Sequence, residues 1–136
     1  MSTENLAYAL VQWVHNFGAA AVVGAAAFAL WPAFRPAAGR AFAWLALAAW
    51  LAQIASGAGF GLVSLHFYGA TPDLAPVARV ALGVKIGAAI GGTLLVASYL
   101  RWGRHWPAAG VRRVFLGLAA LGATALTAAA WLRWFS

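Results

Sequence analysis

VALGVKIGAAIGGTLLVASYL, residues 80–100, runs for 21 positions with one charged side chain, Lys85, and no proline. A helix that is apolar all round is either a buried core helix or a membrane span. At about 1.5 Å per residue the stretch covers roughly 30 Å, the thickness of a bilayer's hydrocarbon core. Pro76 suits a helix start, so the span is predicted over 76–100. Working outward, three further runs have the same character. One covers 6–30 and stops at WPAFRP (31–36). A second covers 41–65 and stops at the turn-rich HFYGATPDLAP (66–76). The last covers about 112–132. None alternates as a barrel strand would, and backbone groups in lipid must be paired within their own segment. The expected fold is all-α: an integral membrane four-helix bundle forming a single transmembrane domain over residues 1–136.

Composition agrees with that class. The chain is 65% hydrophobic and only 8% charged, with a mean hydropathy of +0.84, whereas soluble domains carry about 25% charged residues. The net charge of +7 does not point to nucleic acid, because the arginines flank apolar runs and read as topology signals. Arg35 and Arg40 in the first loop share a side with Arg101, Arg104, Arg112 and Arg113 in the third. That side is expected to be cytoplasmic, with both termini on the outer, periplasmic face of a bacterial-type inner membrane. Asp73 and Arg79 then face outward, and Arg133 is the one basic residue against the trend. Trp102, Trp106, Trp131 and Trp134 suit the aromatic belts. MSTEN carries Glu4 and no basic residue, so the first run is expected to remain as a span and not to be cleaved as a leader. The absence of cysteine removes disulfides, thiolate metal sites and cysteine nucleophiles. Glu4 and Asp73 are the only carboxylate side chains, which excludes carboxylate-pair hydrolysis.

Two glycine ridges stand out, Gly83, Gly87 and Gly91 on the third span and Gly57 and Gly61 on the second. Such ridges let helix backbones approach closely. Packing within the bundle is the first expectation for them, and a homodimer through Gly83, Gly87 and Gly91 the alternative.

Counting depth from the outer span ends reveals a polar layer. His15 and Lys85 each lie nine residues in from the outer ends of their spans, Ser56 nine residues before Leu65 and Thr124 seven residues before Trp131. All four fall roughly 10–14 Å below the outer boundary, with Gln12, Gln53 and Thr127 a turn away. Tyr8, Gln12, His15 and Gly18 share one helix face, as do Gln53, Ser56, Gly57 and Phe60. Lys85 points about 200° away from Gly83. A lysine at that depth costs on the order of 2.5–3.5 kcal/mol. It needs Gln53, Ser56, a water-filled cavity or an anionic ligand as partner, or it sits there uncharged. The plainer alternatives are a snorkelling Lys85, a packing His15, and serines and threonines that tie helices together. His66 falls at the water boundary, and His105 in the basic inner loop.

HNFGAAAVVGAAAF (15–28), with its histidine nine residues before Gly24, ASGAGFGLVSL (55–65), and APVARVALGVKIGAAIGGTLLVASYLR (75–101) together resemble the copper-resistance D (CopD) family of four-helix membrane domains. More distantly they resemble the HemJ-type haem-binding membrane proteins. The resemblance implies a first-span histidine at His15 and a third-span lysine at Lys85, copper handling for the one family and b-type haem for the other. This chain lacks cysteine and has Met1 as its only methionine, so soft Cu(I) ligands are missing. It also lacks the charged, tyrosine- and histidine-bearing segment that follows the first span in HemJ-type proteins.

The expected function is a CopD-like module whose outer-half pocket, with His15, Lys85, His66, Gln53 and Ser56, binds haem b or copper for electron transfer or copper handling. His15 is the metal ligand in that reading, as sole axial histidine or paired with His66. Lys85 or Arg79 would meet haem propionates, and copper would draw on Gln12 or Asn16. A quinone held by His15 and Lys85 is a further possibility. The alternative is a non-catalytic accessory subunit of a larger, respiratory-type membrane complex, with the polar layer serving helix packing.

Overall fold

The computed structural model describes residues 2–32 and 38–135. Four helices account for nearly all of them: α1 (Thr3–Leu30), α2 (Ala38–Tyr68), α3 (Pro76–Trp102) and α4 (Ala108–Phe135), with a single 3-10 turn at Gly103–His105. All four are long and apolar enough to cross a membrane. Each extends past its expected bounds at one or both ends, because a helix can run on into the interface where polar residues are tolerated. Arg35 lies outside the described residues.

Local chemistry explains the helix ends. The Ser2 hydroxyl accepts the Asn5 N–H at 3.2 Å, and Glu4 sits in the first turn, where the helix dipole favours negative charge. The Gly69 N–H reaches Leu65 O at 3.0 Å with φ at +67°, a conformation that glycine adopts without penalty. Ser64 Oγ donates to Ala70 O at 2.8 Å and ties the following loop back onto α2. Pro76 occupies the first turn of α3.

The helices alternate in direction. The α1–α2 and α3–α4 hairpins have the broadest interfaces, while α1–α4 and α2–α3 close the square more sparsely. Trp50, Phe115, Leu118 and Val96 are its largest fully buried side chains, set among alanines such as Ala26, Ala43 and Ala46. Arg40 Nη2 donates to Leu100 O at 3.2 Å, binding the start of α2 to the end of α3. Arg40, Arg101, Arg104, Arg112 and Arg113 therefore gather at one end of the bundle.

The glycines that permit close approach are not those of the ridges. A Cβ at Gly92 would fall 2.6 Å from Trp50 Cζ2, one at Gly117 2.9 Å from Leu95 Cδ2, and one at Gly122 3.2 Å from Val22 Cγ1. At Gly57, Gly61, Gly83 and Gly87 it would meet nothing within 4 Å, and at Gly91 only Leu121 at 3.7 Å. Packing within the bundle is thus corrected for Gly57, Gly61, Gly83 and Gly87, and holds for Gly91 against α4. Glycine spacing marks a smooth face, and here most of that smooth face looks outward.

Candidate functional site

The polar layer forms around His15. Its Nε2 lies 2.9 Å from Lys85 Nζ and its Nδ1 2.7 Å from Ser56 Oγ. Lys85 thus turns inward and reaches across the bundle diagonal from α3 to α1; it does not snorkel. His15 and Lys85 are both half-buried, and Ser56 is buried at 5% exposure.

The hydrogen-bond inventory assigns the imidazole protons. Ser56 has one hydroxyl hydrogen, and its oxygen lies 2.5 Å from Ala52 O and 3.3 Å from Gln53 O. With that hydrogen given to Ala52 O, Ser56 Oγ accepts from His15 Nδ1–H. Nε2 is then the lone-pair nitrogen and accepts from the Lys85 ammonium, a donor with no acceptor capacity. Lysine, histidine and serine form one chain of like-directed bonds ending on a helix carbonyl.

Two further groups hold the histidine. Gln53 Nε2 donates to His15 O at 2.6 Å, and it passes over Gly18, where a Cβ would stand 2.7 Å from the amide nitrogen. Only glycine leaves room for that bond. Toward the N-terminal end of α1, the Phe60 ring meets the His15 ring edge-on at 5.5 Å and stacks with Tyr8 at 6.4 Å. Beyond them the Tyr68 hydroxyl donates to the Glu4 carboxylate, joining the start of α1 to the end of α2. Gly18 and Phe60 share helix faces with the site residues, which is the signal that marks them in the sequence.

Ser56→Ala is expected to leave the His15 Nδ1–H without an acceptor in a half-buried position. The protein should lose about 1–3 kcal/mol, the range for an orphaned donor. Chemical unfolding in detergent checks this, with Ser56→Thr as the variant that retains the hydroxyl.

The rest of the predicted layer does not join. The Thr124 and Thr127 hydroxyls bond their own helix at Ala120 O and Ala123 O, both at 2.9 Å. They line an open groove of about 640 Å³ between α3 and α4, whose other walls are apolar. Gln12 faces out and bonds Asn16 at 2.6 Å. His66 is exposed, with its ring against Phe67 at 4.8 Å. It stands ten residues beyond Ser56, roughly 15 Å along α2. His105 is exposed in the 3-10 turn. A second, smaller groove of about 300 Å³ between α1 and α2 is lined by Val11, Ala55, Ser56 and Gly59, among others, and opens toward the lipid side.

The arrangement can donate hydrogen bonds. Lys85 carries three N–H groups, and His15 engages one of them. It is poorly suited to ligate a metal. Both ring nitrogens of His15 are engaged, a cation at Nε2 would face the Lys85 ammonium, and no group of three His, Asp or Glu side chains comes together among the described residues.

Compared with known protein families, curated proteins and solved structures, the chain matches none.

Proposed function

We propose that the protein is a multi-pass membrane module that binds an oxygen-bearing redox ligand in the outer half of its bundle, with Lys85 donating to the ligand and His15 fixing Lys85. The observation that supports it is the 2.9 Å contact between Lys85 Nζ and His15 Nε2. An ammonium kept inside a membrane segment is costly. A neutral imidazole stabilises it less than a carboxylate would, and neither Glu4 nor Asp73 is engaged with it. The remaining N–H groups of Lys85 suit a carbonyl or carboxylate oxygen in an apolar setting, and a quinone head group has that chemistry. Gln53 and Ser56 act as positioning residues.

The haem or copper implied by the CopD and HemJ-type resemblance fits these residues less well, since either metal would need His15 Nε2, which Lys85 occupies. The basic end of the bundle supports a cytoplasmic assignment under the positive-inside rule. In this reading both termini lie on the periplasmic side of a bacterial-type inner membrane.

The test is performed on protein purified in mild detergent. Equilibrium titration with a short-chain quinone should show saturable binding. A dithionite-reduced minus oxidised visible spectrum and metal analysis of the same sample should be flat and metal-free. A reduced b-haem spectrum or stoichiometric copper, lost in His15→Ala, would place a metal at His15 and overturn the reading.

A second reading is an accessory subunit of a larger membrane assembly, or a homodimer through Gly83, Gly87 and Gly91. The open space beside Gly83 and Gly87 favours it.

A further inference from the structure

The outward face of α1 carries polar groups where lipid should be. Gln12 and Asn16 are exposed and bond each other, Gln12 Nε2 donating to Asn16 Oδ1 at 2.6 Å. Asn16 lies at the midpoint of the helix, and Gln12 and Trp13 about 4.5–6 Å outward of it, well inside a hydrocarbon core. Trp13 and Phe17, each 63% exposed, meet edge-on at 5.2 Å on the same side. Tryptophan at a lipid surface favours the interface, not this depth. At 100° per residue, Ala9, Gln12, Trp13, Asn16 and Ala20 fall within an arc of about 100°, centred about 140° from the face that carries His15, Gly18 and Val22.

We infer that this face is a self-association surface and that its occupant is a second copy of the chain. The internal bond leaves Gln12 with a free carbonyl oxygen and Asn16 with a free amide donor. That set is self-complementary: under a two-fold axis along the membrane normal, the Asn16 donor of each copy faces an amide acceptor of the other. Exposed amides within a bilayer find their partners across helix–helix contacts, and Ala9 and Ala20 let the backbones come close. Charge also selects this helix. α1 contains no Lys or Arg, whereas α2, α3 and α4 each contain at least one, so two chains of net charge +7 meet here without opposed cations. The glycine face of α3 offers no unmet polar group. The inference is independent of what Lys85 binds.

The chain has no cysteine, so single-cysteine variants report contacts without background. Ala9→Cys, Ala20→Cys and Gly87→Cys are each reconstituted at high dilution in vesicles and oxidised with copper phenanthroline. Ala9→Cys and Ala20→Cys are expected to form a disulfide dimer at least about tenfold faster than Gly87→Cys. Adding Gln12→Leu and Asn16→Leu to Ala20→Cys should weaken the dimer about tenfold, or about 1.4 kcal/mol, with helicity unchanged by circular dichroism. Faster crosslinking at Gly87, no crosslinking at any position, or insensitivity to loss of the two amides overturns the inference. Crosslinking in cells only to a different protein does so as well.

Discussion

Gly92→Ala is expected to destabilise the bundle strongly. The new Cβ would lie 2.6 Å from Cζ2 and 2.7 Å from Nε1 of Trp50, inside van der Waals contact. The indole cannot swing away, because it is 1% exposed and enclosed by the core. Overpacking of a well-filled core costs about 1–3 kcal/mol, and a flat, enclosed ring places this site at the upper end. Trp50 Nε1 has no hydrogen-bond partner, so Trp50→Phe sacrifices no polar contact and opens the space a Cβ needs. The double variant Gly92→Ala/Trp50→Phe should therefore be more stable than Gly92→Ala alone, a coupling of the kind neighbouring residues show. Unfolding of the four proteins of this cycle in mixed micelles measures it. Additive effects would show that the two residues do not share the strain.

Lys85→Met separates function from stability. Methionine keeps the length of the side chain and removes the ammonium, relieving a penalty of about 2.5–3.5 kcal/mol on insertion scales. It also leaves His15 Nε2 without a donor, at about 1–3 kcal/mol. The balance runs from about −0.5 to +2.5 kcal/mol in favour of the variant, so it should insert and resist unfolding about as well as the parent or better. Quinone binding should fall steeply, because a charge-assisted hydrogen bond is worth about 1.5–3 kcal/mol, at least tenfold in affinity. Lower stability with unchanged binding would instead identify the Lys85–His15 pair as helix-packing glue.

The spans were legible because each is a long apolar run set off by turn residues, and length alone separates a membrane helix from a strand. The shared depth of His15, Ser56 and Lys85 was legible too, since depth follows from counting residues at a fixed rise, but Lys85 was expected to find Gln53 or Ser56 and meets His15 instead. Rotation about the helix axis is harder to read. Gln12 lies only about 60° from His15, yet that is enough to carry it from the bundle interior to the outer face. Thr124 and Thr127 have the right depth, but their hydroxyls are satisfied by their own helix, which no spacing rule distinguishes from a contact across helices. The glycine ridges misled for a related reason. Small residues reveal that a face is smooth, whereas Gly92, one position outside the ridge, is the glycine on which the indole rests. Its importance depends on where Trp50 lies on another helix.

The two-hairpin construction has a consequence for how the chain is made. Synthesis delivers the N-terminal segments first, so α1 and α2 can pair before α3 leaves the ribosome. His15, Ser56 and Gln53 all belong to that first hairpin, and their bonds to one another need nothing from α3 or α4. When Lys85 enters the bilayer, its acceptor nitrogen is already oriented with the lone pair outward. The most expensive side chain in the protein is inserted last among its partners, into a place prepared for it.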